Sequence, residues 1–120
     1  MNSAEFEKYL ESIGGVVYAG EVTTSRRKFE IHNGWLSIVA SAFDKAIALG
    51  WNKQVSQVKE KFGYLCIYGR WDLPEISDVF EDAELSACSI CEVCGDPGEL
   101  RSNRSWHRTL CERCDFLVRK

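Results

Sequence analysis

Apolar positions along this chain follow a helical period in some stretches and a strand-like pattern in others. Phe6, Tyr9, Leu10 and Ile13 share one face of a first predicted helix. Ser3 is its expected cap, Glu5 and Glu7 sit in its first turns, and Gly14-Gly15 ends it. A second helix begins at Asn33-Gly34. Trp35, Ile38, Val39, Ala42, Ala46 and Leu49 keep helical spacing, Phe43 and Ile47 widen the stripe, and Gly50 terminates it. So broad a stripe predicts the central core helix. A third helix starts at Pro74, which suits a first turn, and buries Ile76, Val79, Phe80, Ala83 and Ala87. Its other face is acidic, with no Lys or Arg from Asp72 to Glu84. A solvated face explains such a run, although it can also dock a basic partner.

The remaining apolar runs read as strands. Val16-Val17-Tyr18 and Phe29-Glu30-Ile31 flank a polar, basic stretch from Thr23 to Lys28, which predicts a hairpin or extended loop. Residues 54–71 predict a second hairpin. Val55 to Lys59 forms one strand, Tyr64 to Tyr68 the other, and Glu60-Lys61-Phe62-Gly63 the turn. The second of these strands is apolar on both faces, so it is expected inside a sheet. A short helix is expected over Glu112 to Lys120. The fold class is therefore α+β, with about three helices and a small antiparallel sheet or hairpin.

Length and composition narrow the class without naming a function. A chain of 120 residues suits one domain. Its 45% apolar and 28% charged residues are ordinary for a globular protein. A net charge of -3 supplies no global attraction to a phosphate backbone. The first residues carry neither a basic start nor an apolar run, and no stretch approaches the roughly 20 apolar residues of a membrane span. A cytoplasmic protein without a membrane partner is expected. In a reducing compartment six cysteines favour metal binding over disulfides.

Four of those cysteines carry the strongest chemical signal. Cys91-Glu-Val-Cys94 and Cys111-Glu-Arg-Cys114 are two C-x-x-C pairs with 16 residues between them, a spacing that suits a four-thiolate zinc site. Zn²⁺ takes four soft ligands in a tetrahedron, and a closed Cys₄ set leaves no position for a catalytic water. Gly95 is expected to let backbone N–H groups turn toward sulfur, and Asp96-Pro97-Gly98 to form a tight turn. Cys88 also makes a C-x-x-C pair with Cys91, but it falls on the third helix and is assigned as a bystander. His107 is assigned as a surface or packing residue. The expected unit spans 88–120, a structural zinc ribbon packed on the rest of a single 1–120 domain.

Catalytic templates find little support. Pairs of C-x-x-C knuckles occur in HNH nucleases, but 16 residues leave no room for the usual catalytic insertion, and only one histidine lies between them. Phosphate-binding, dinucleotide-binding, H-E-x-x-H and G-x-S-x-G motifs are absent. His32 is too isolated to serve as a base. Arg101, Arg104, Arg108 and Arg113 surround the predicted zinc loop, with Trp106 among them. They can hold phosphates and stack on a base, although Glu92, Asp96, Glu99, Glu112 and Asp115 dilute their charge. Arg26-Arg27-Lys28 is a second small basic patch. Phe62 exceeds what a turn needs. It either folds back on the zinc unit or projects as a partner anchor.

Several segments occur together in a familiar order: Asn33-Gly34-Trp35, Val58 to Leu65 with its Lys-Glu-Lys-Phe-Gly core, Ala83-Glu84-Leu85-Ser86, Cys91-x-x-Cys94-Gly95-x-Pro97-Gly98, and Trp106-x-x-Thr109-Leu110-Cys111-x-x-Cys114. In this the chain resembles a group of small zinc-ribbon proteins of bacteriophages, prophages and bacteria, over roughly its last three quarters. Cys66 stands where a basic residue is expected in that group, and Cys88 is additional. The resemblance implies a non-enzymatic accessory protein that binds and modulates a host protein, a defence system among the candidates. The alternative is a zinc-ribbon regulator that binds nucleic acid. Partner-contacting residues are then sought among Phe62, Arg101, Arg104, Trp106 and Arg108.

Overall fold

A computed structural model describes residues 1–118 of the chain. The architecture is α+β. Helix α1 (Ser3–Ser12) leads into a hairpin of β1 (Val16–Tyr18) and β2 (Glu21–Thr23). A 3-10 turn over Asn33–Trp35 opens the central helix α2 (Leu36–Ala48). Then follow β3 (Gln54–Val55), the hairpin of β4 (Gln57–Lys61) and β5 (Tyr64–Tyr68), and helix α3 (Pro74–Ala87). The last part holds β6 (Glu99–Arg101), β7 (Arg108–Leu110) and helix α4 (Glu112–Val118). The helix expected over Glu112 to Lys120 thus covers its first seven residues, and the last two lie outside the described residues.

The capping residue of α1 is Asn2, not Ser3. Its Oδ1 accepts from the Glu5 N–H at 2.8 Å, and its own N–H donates to Glu5 Oε1 at 2.8 Å. This reciprocal pair satisfies two otherwise orphaned donors, and Ser3 could not form it because the residue three positions on is Phe6, which has no side-chain acceptor. Phe6 and Leu10 are fully buried beneath it.

Strand β1 is central to a three-stranded sheet of order β2-β1-β3, antiparallel to β2 and parallel to β3. The hairpin predicted between residues 16 and 31 closes sooner than expected, through Ala19 and Gly20 at φ 51° and 90°. Two consecutive left-handed residues match the twist of flanking strands. Phe29-Glu30-Ile31 is not a full strand. It crosses the core as an extended segment with one parallel bridge from Glu30 to Lys59. Its path is set by burial of Phe29 and Ile31 and by the Arg26 guanidinium, which donates to the carbonyls of Phe29 and Ile31 at 2.9 and 2.5 Å.

On α2 the buried residues are Leu36, Val39, Ala40, Ala42, Phe43 and Ala46. The stripe is rotated from the predicted one. Ile38 and Ile47 sit at its margin, and Leu49, which caps the C-terminus, is exposed. Neighbouring rings tie the layers together. Phe6 meets Phe29 edge-on at 5.0 Å, and Phe80 of α3 packs against Trp51 at 5.3 Å and Trp71 at 4.5 Å.

The β4–β5 hairpin turns on two residues, not four. Phe62 and Gly63 lie at φ 52° and 87°, the signature of a type I′ turn. Val55 belongs to β3, and Ser56 separates it from β4. Strand β5 pairs with β4 alone, so it does not lie inside a larger sheet. Its apolar residues divide instead: Leu65 and Ile67 are buried, while Tyr64 and Tyr68 are exposed. The outward Ile67 N–H donates to a Glu84 carboxylate oxygen of α3 at 2.9 Å, a side chain in place of a strand. Among the described residues no helix is long and apolar enough to cross a membrane.

Candidate metal centre

A second, small apolar cluster forms from Cys91, Leu110, Cys111 and Cys114, with Val93 packed against it. The first cysteine pair sits on a knuckle between α3 and β6. The Gly95 N–H donates to the Cys91 carbonyl at 3.0 Å, and the Cys91 N–H donates to the Asp96 carbonyl at 2.7 Å. Gly95 reaches this turn at φ 85°. Its own amide closes the knuckle on backbone oxygen, while the next amide, that of Asp96, turns to the Cys94 sulfur as the sequence suggested. Asp96-Pro97-Gly98 is not a tight turn. Pro97 bridges Ile90 antiparallel, so this segment is the returning arm of the knuckle.

The second pair stands at the start of α4. Its geometry also brings an amide to sulfur: the Cys114 N–H donates to Cys111 Sγ at 3.4 Å. The β6–β7 hairpin carries the chain from one pair to the other.

These elements bring the Sγ atoms of Cys91, Cys94, Cys111 and Cys114 within 4.8 Å of one another, and the four can hold a metal ion. Cys94 and Cys111 Sγ are 3.6 Å apart. A tetrahedral thiolate site with metal–sulfur bonds of about 2.3 Å has edges of roughly 3.8 Å, so the spacing fits. The thiols differ among themselves. Hydrogen bonding from the Cys114 amide draws the Cys111 thiol down to about 7, whereas burial pushes Cys114 up to about 12. A bound cation would favour the thiolate at all four. Cys88 lies outside the cluster, its Sγ against the Glu84 carbonyl at the end of α3. All six cysteines are free of disulfides.

Three contacts seat this unit on the main core. Gly34 comes so close to the first knuckle that a Cβ there would lie 2.1 Å from the Cys91 carbonyl oxygen and 2.6 Å from the Glu92 carbonyl carbon. Its N–H donates to the Glu92 carbonyl at 3.0 Å. The indole N–H of the fully buried Trp35 donates to the Ile90 carbonyl at 2.9 Å. Thr109 Oγ1 donates to the Gly63 carbonyl at the hairpin tip, at 2.6 Å.

Glu92, inside the first C-x-x-C, is 1% exposed. Its Oε1 accepts from the Thr109 N–H at 3.1 Å and faces Arg108 Nε at 3.5 Å. Burial raises its pKa, and the Arg108 charge opposes that shift. In the sequence Glu92 counts only as one of the acids that dilute the arginine charge. A glutamate between two knuckle cysteines gives no sequence signal that it turns inward.

The arginine rim is also drawn inward. Arg101 donates to the Leu110 carbonyl at 3.2 Å and lies 4.0 Å from the Asp115 carboxylate. Arg104 pairs with that same carboxylate, which is largely buried. With Arg108 held on Glu92, the three side chains brace the unit from within. Arg113 remains exposed. The bend before β7 places Trp106 against Phe62, with ring centroids 4.6 Å apart, and its indole N–H donates to the Glu60 carboxylate at 3.2 Å. Glu60 also accepts the Gly63 N–H at 2.6 Å. Phe62 thus folds back onto the zinc-ribbon-like unit, although both rings stay about half exposed.

Four of the five segments that made the sequence look familiar converge on this junction, while Ala83-Glu84-Leu85-Ser86 lies apart on α3. Asn33-Gly34-Trp35 seats the first knuckle, the Lys-Glu-Lys-Phe-Gly tip meets Trp106 and Thr109, and the knuckles lie between them. No family model matches the chain, and no match is found among curated proteins or solved structures.

Proposed function

We propose that this protein is a non-enzymatic binding protein whose C-terminal unit is held together by one structural Zn²⁺ on Cys91, Cys94, Cys111 and Cys114. The observation that carries this reading is the closed set of four sulfurs within 4.8 Å. Four protein ligands fill a tetrahedron and leave no site for substrate or water. Soft thiolates select zinc over magnesium or calcium. The metal's work is then mechanical. It fixes a unit whose own apolar cluster holds four fully or nearly buried residues, too few to fold alone. The host-directed accessory role implied by the sequence resemblance is retained as the biological setting, with a cytoplasmic site of action. The nucleic-acid alternative draws less support, because Arg101, Arg104 and Arg108 are engaged with Asp115, Glu92 and backbone carbonyls.

Elemental analysis of protein purified under reducing conditions tests the metal. One zinc per chain is expected, unchanged in Cys88→Ser and lost in Cys111→Ser. A folded wild-type chain without metal would end this reading. Tight, sequence-dependent binding of DNA or RNA at physiological salt would replace it with the nucleic-acid alternative.

A further inference from the structure

Away from the cysteine cluster, the outer face of the β4–β5 hairpin and the adjacent face of α3 enclose a groove of ≈ 510 Å³. Tyr64, Cys66, Glu81, Glu84, Leu85 and Cys88 line it. Its apolar centre is open to solvent, with Leu85 69% exposed and Tyr64 47%. The two flanks carry opposite charge. Lys61 stands opposite Tyr64 in the strand register and Lys59 opposite Cys66, so both lysines share the outward face. On α3, Asp78, Glu81, Leu85 and Cys88 follow at helical spacing, which sets Glu81 beside Leu85 and Asp78 one turn further along the same face. Tyr68 extends the apolar strip, with Lys59 Nζ 6.0 Å from its ring centre.

We infer that this groove is the contact through which two copies of the chain pair about a two-fold axis. A two-fold contact requires a patch that complements itself. This one has an apolar centre between a basic strand and an acidic helix turn. Rotation about its middle lays the lysines of one copy over Asp78 and Glu81 of the other, and Leu85 against the second apolar strip. A foreign partner would have to carry the same pattern in mirrored order, whereas a second copy supplies it automatically. Exposed apolar residues gathered in one rimmed patch are the usual mark of such a contact. The inference uses no residue of the metal cluster and stands apart from the zinc reading.

Sedimentation velocity of the full zinc-loaded chain, under reductant so that Cys66 and Cys88 cannot cross-link, tests it. The wild type should dimerise with rising concentration, more weakly at high salt. Leu85→Lys, at an exposed position, should stay monomeric and melt like the wild type at dilutions where both are monomers. Lys59→Glu/Lys61→Glu should weaken association about tenfold, as should Asp78→Lys/Glu81→Lys, since each charge pair occurs twice in a symmetric dimer. Combining all four changes should restore it. A wild type that is monomeric at every concentration overturns the inference, and so does a dimer indifferent to Leu85→Lys. Failure of the combined variant to recover overturns it as well. If a foreign protein covers this face instead, the wild type alone is monomeric and the inference fails.

Discussion

Thr109 and Gly63 are 46 residues apart in sequence, yet the threonine hydroxyl donates to the glycine carbonyl at 2.6 Å in a buried setting. This one bond joins the tip of the β4–β5 hairpin to the strand that precedes the second cysteine pair. Thr109→Val keeps the shape and removes the donor, leaving a buried carbonyl unsatisfied. A loss of about 1–3 kcal/mol is expected in chemical denaturation, with most of it recovered in Thr109→Ser. Equal stability of the valine variant would show that the bond contributes nothing net.

Gly34 makes a sharper test of how the knuckle is seated. A methyl group there meets backbone atoms of Cys91 and Glu92, which cannot swing aside as a flexible side chain would. Gly34→Ala should therefore destabilise the protein by about 1–3 kcal/mol and weaken zinc retention against a competing chelator. Unchanged metal retention would mean that the knuckle moves freely relative to α2.

Phe62 combines an unfavourable backbone with a useful ring. It occupies the left-handed region at φ 52°, where bulky residues are disfavoured, yet its ring packs on Trp106. Phe62→Ala should cost about 0.5–1.5 kcal/mol, the range of an aromatic pair, because the ring is already half exposed. Phe62→Asn loses the same ring but suits the turn, so it should be more stable than the alanine variant. Both should alter Trp106 fluorescence. If asparagine and alanine behave alike, backbone strain at this position is negligible.

Glu84 gives a pH dependence of known sign. Burial raises its carboxyl above the ordinary 4.5, with the Ile67 N–H pulling the other way. A raised acid is a group whose proton the folded state holds more tightly. Its contribution is therefore fully present below about 4.5 and falls away as pH rises through the higher folded value. Glu84→Gln keeps an oxygen for Ile67 and cannot ionise. Denaturation midpoints at acid and neutral pH should show the glutamine variant gaining on the wild type as pH increases. A constant gap would place the shift elsewhere.

How much of this was legible in the sequence follows from how local each signal is. The central helix, the Pro74 start of α3 and the four clustered cysteines were all readable, because periodicity and spacing are carried by neighbouring residues. The register between Cys88 and Cys94 was readable too, since Cys88 continues a helix. What escaped depended on which polar side chains reach which backbone or side-chain groups, whether three residues away or far along the chain. Asn2 beat Ser3 as a cap because Glu5 reaches back to it. Phe29 to Ile31 looked like a strand because it is apolar, but Arg26 holds its carbonyls. The arginines read as a rim because the sequence does not show that Glu92 and Asp115, counted there only as diluting their charge, are buried and pair with them. Nothing local distinguishes a charge that turns inward from one that faces water.

The seat of the knuckle also sets an order in time. Trp35 donates to the carbonyl of Ile90, 55 residues later. On a ribosome adding roughly 5–20 residues per second, the indole waits several seconds for its acceptor. During that interval the socket beside Gly34 has been made and its occupant has not. The early part of the chain must stay soluble with a polar tryptophan edge uncovered, and a four-sulfur metal site cannot close before Cys114 is made. Slowing synthesis after the α3 codons would lengthen the life of that half-built species.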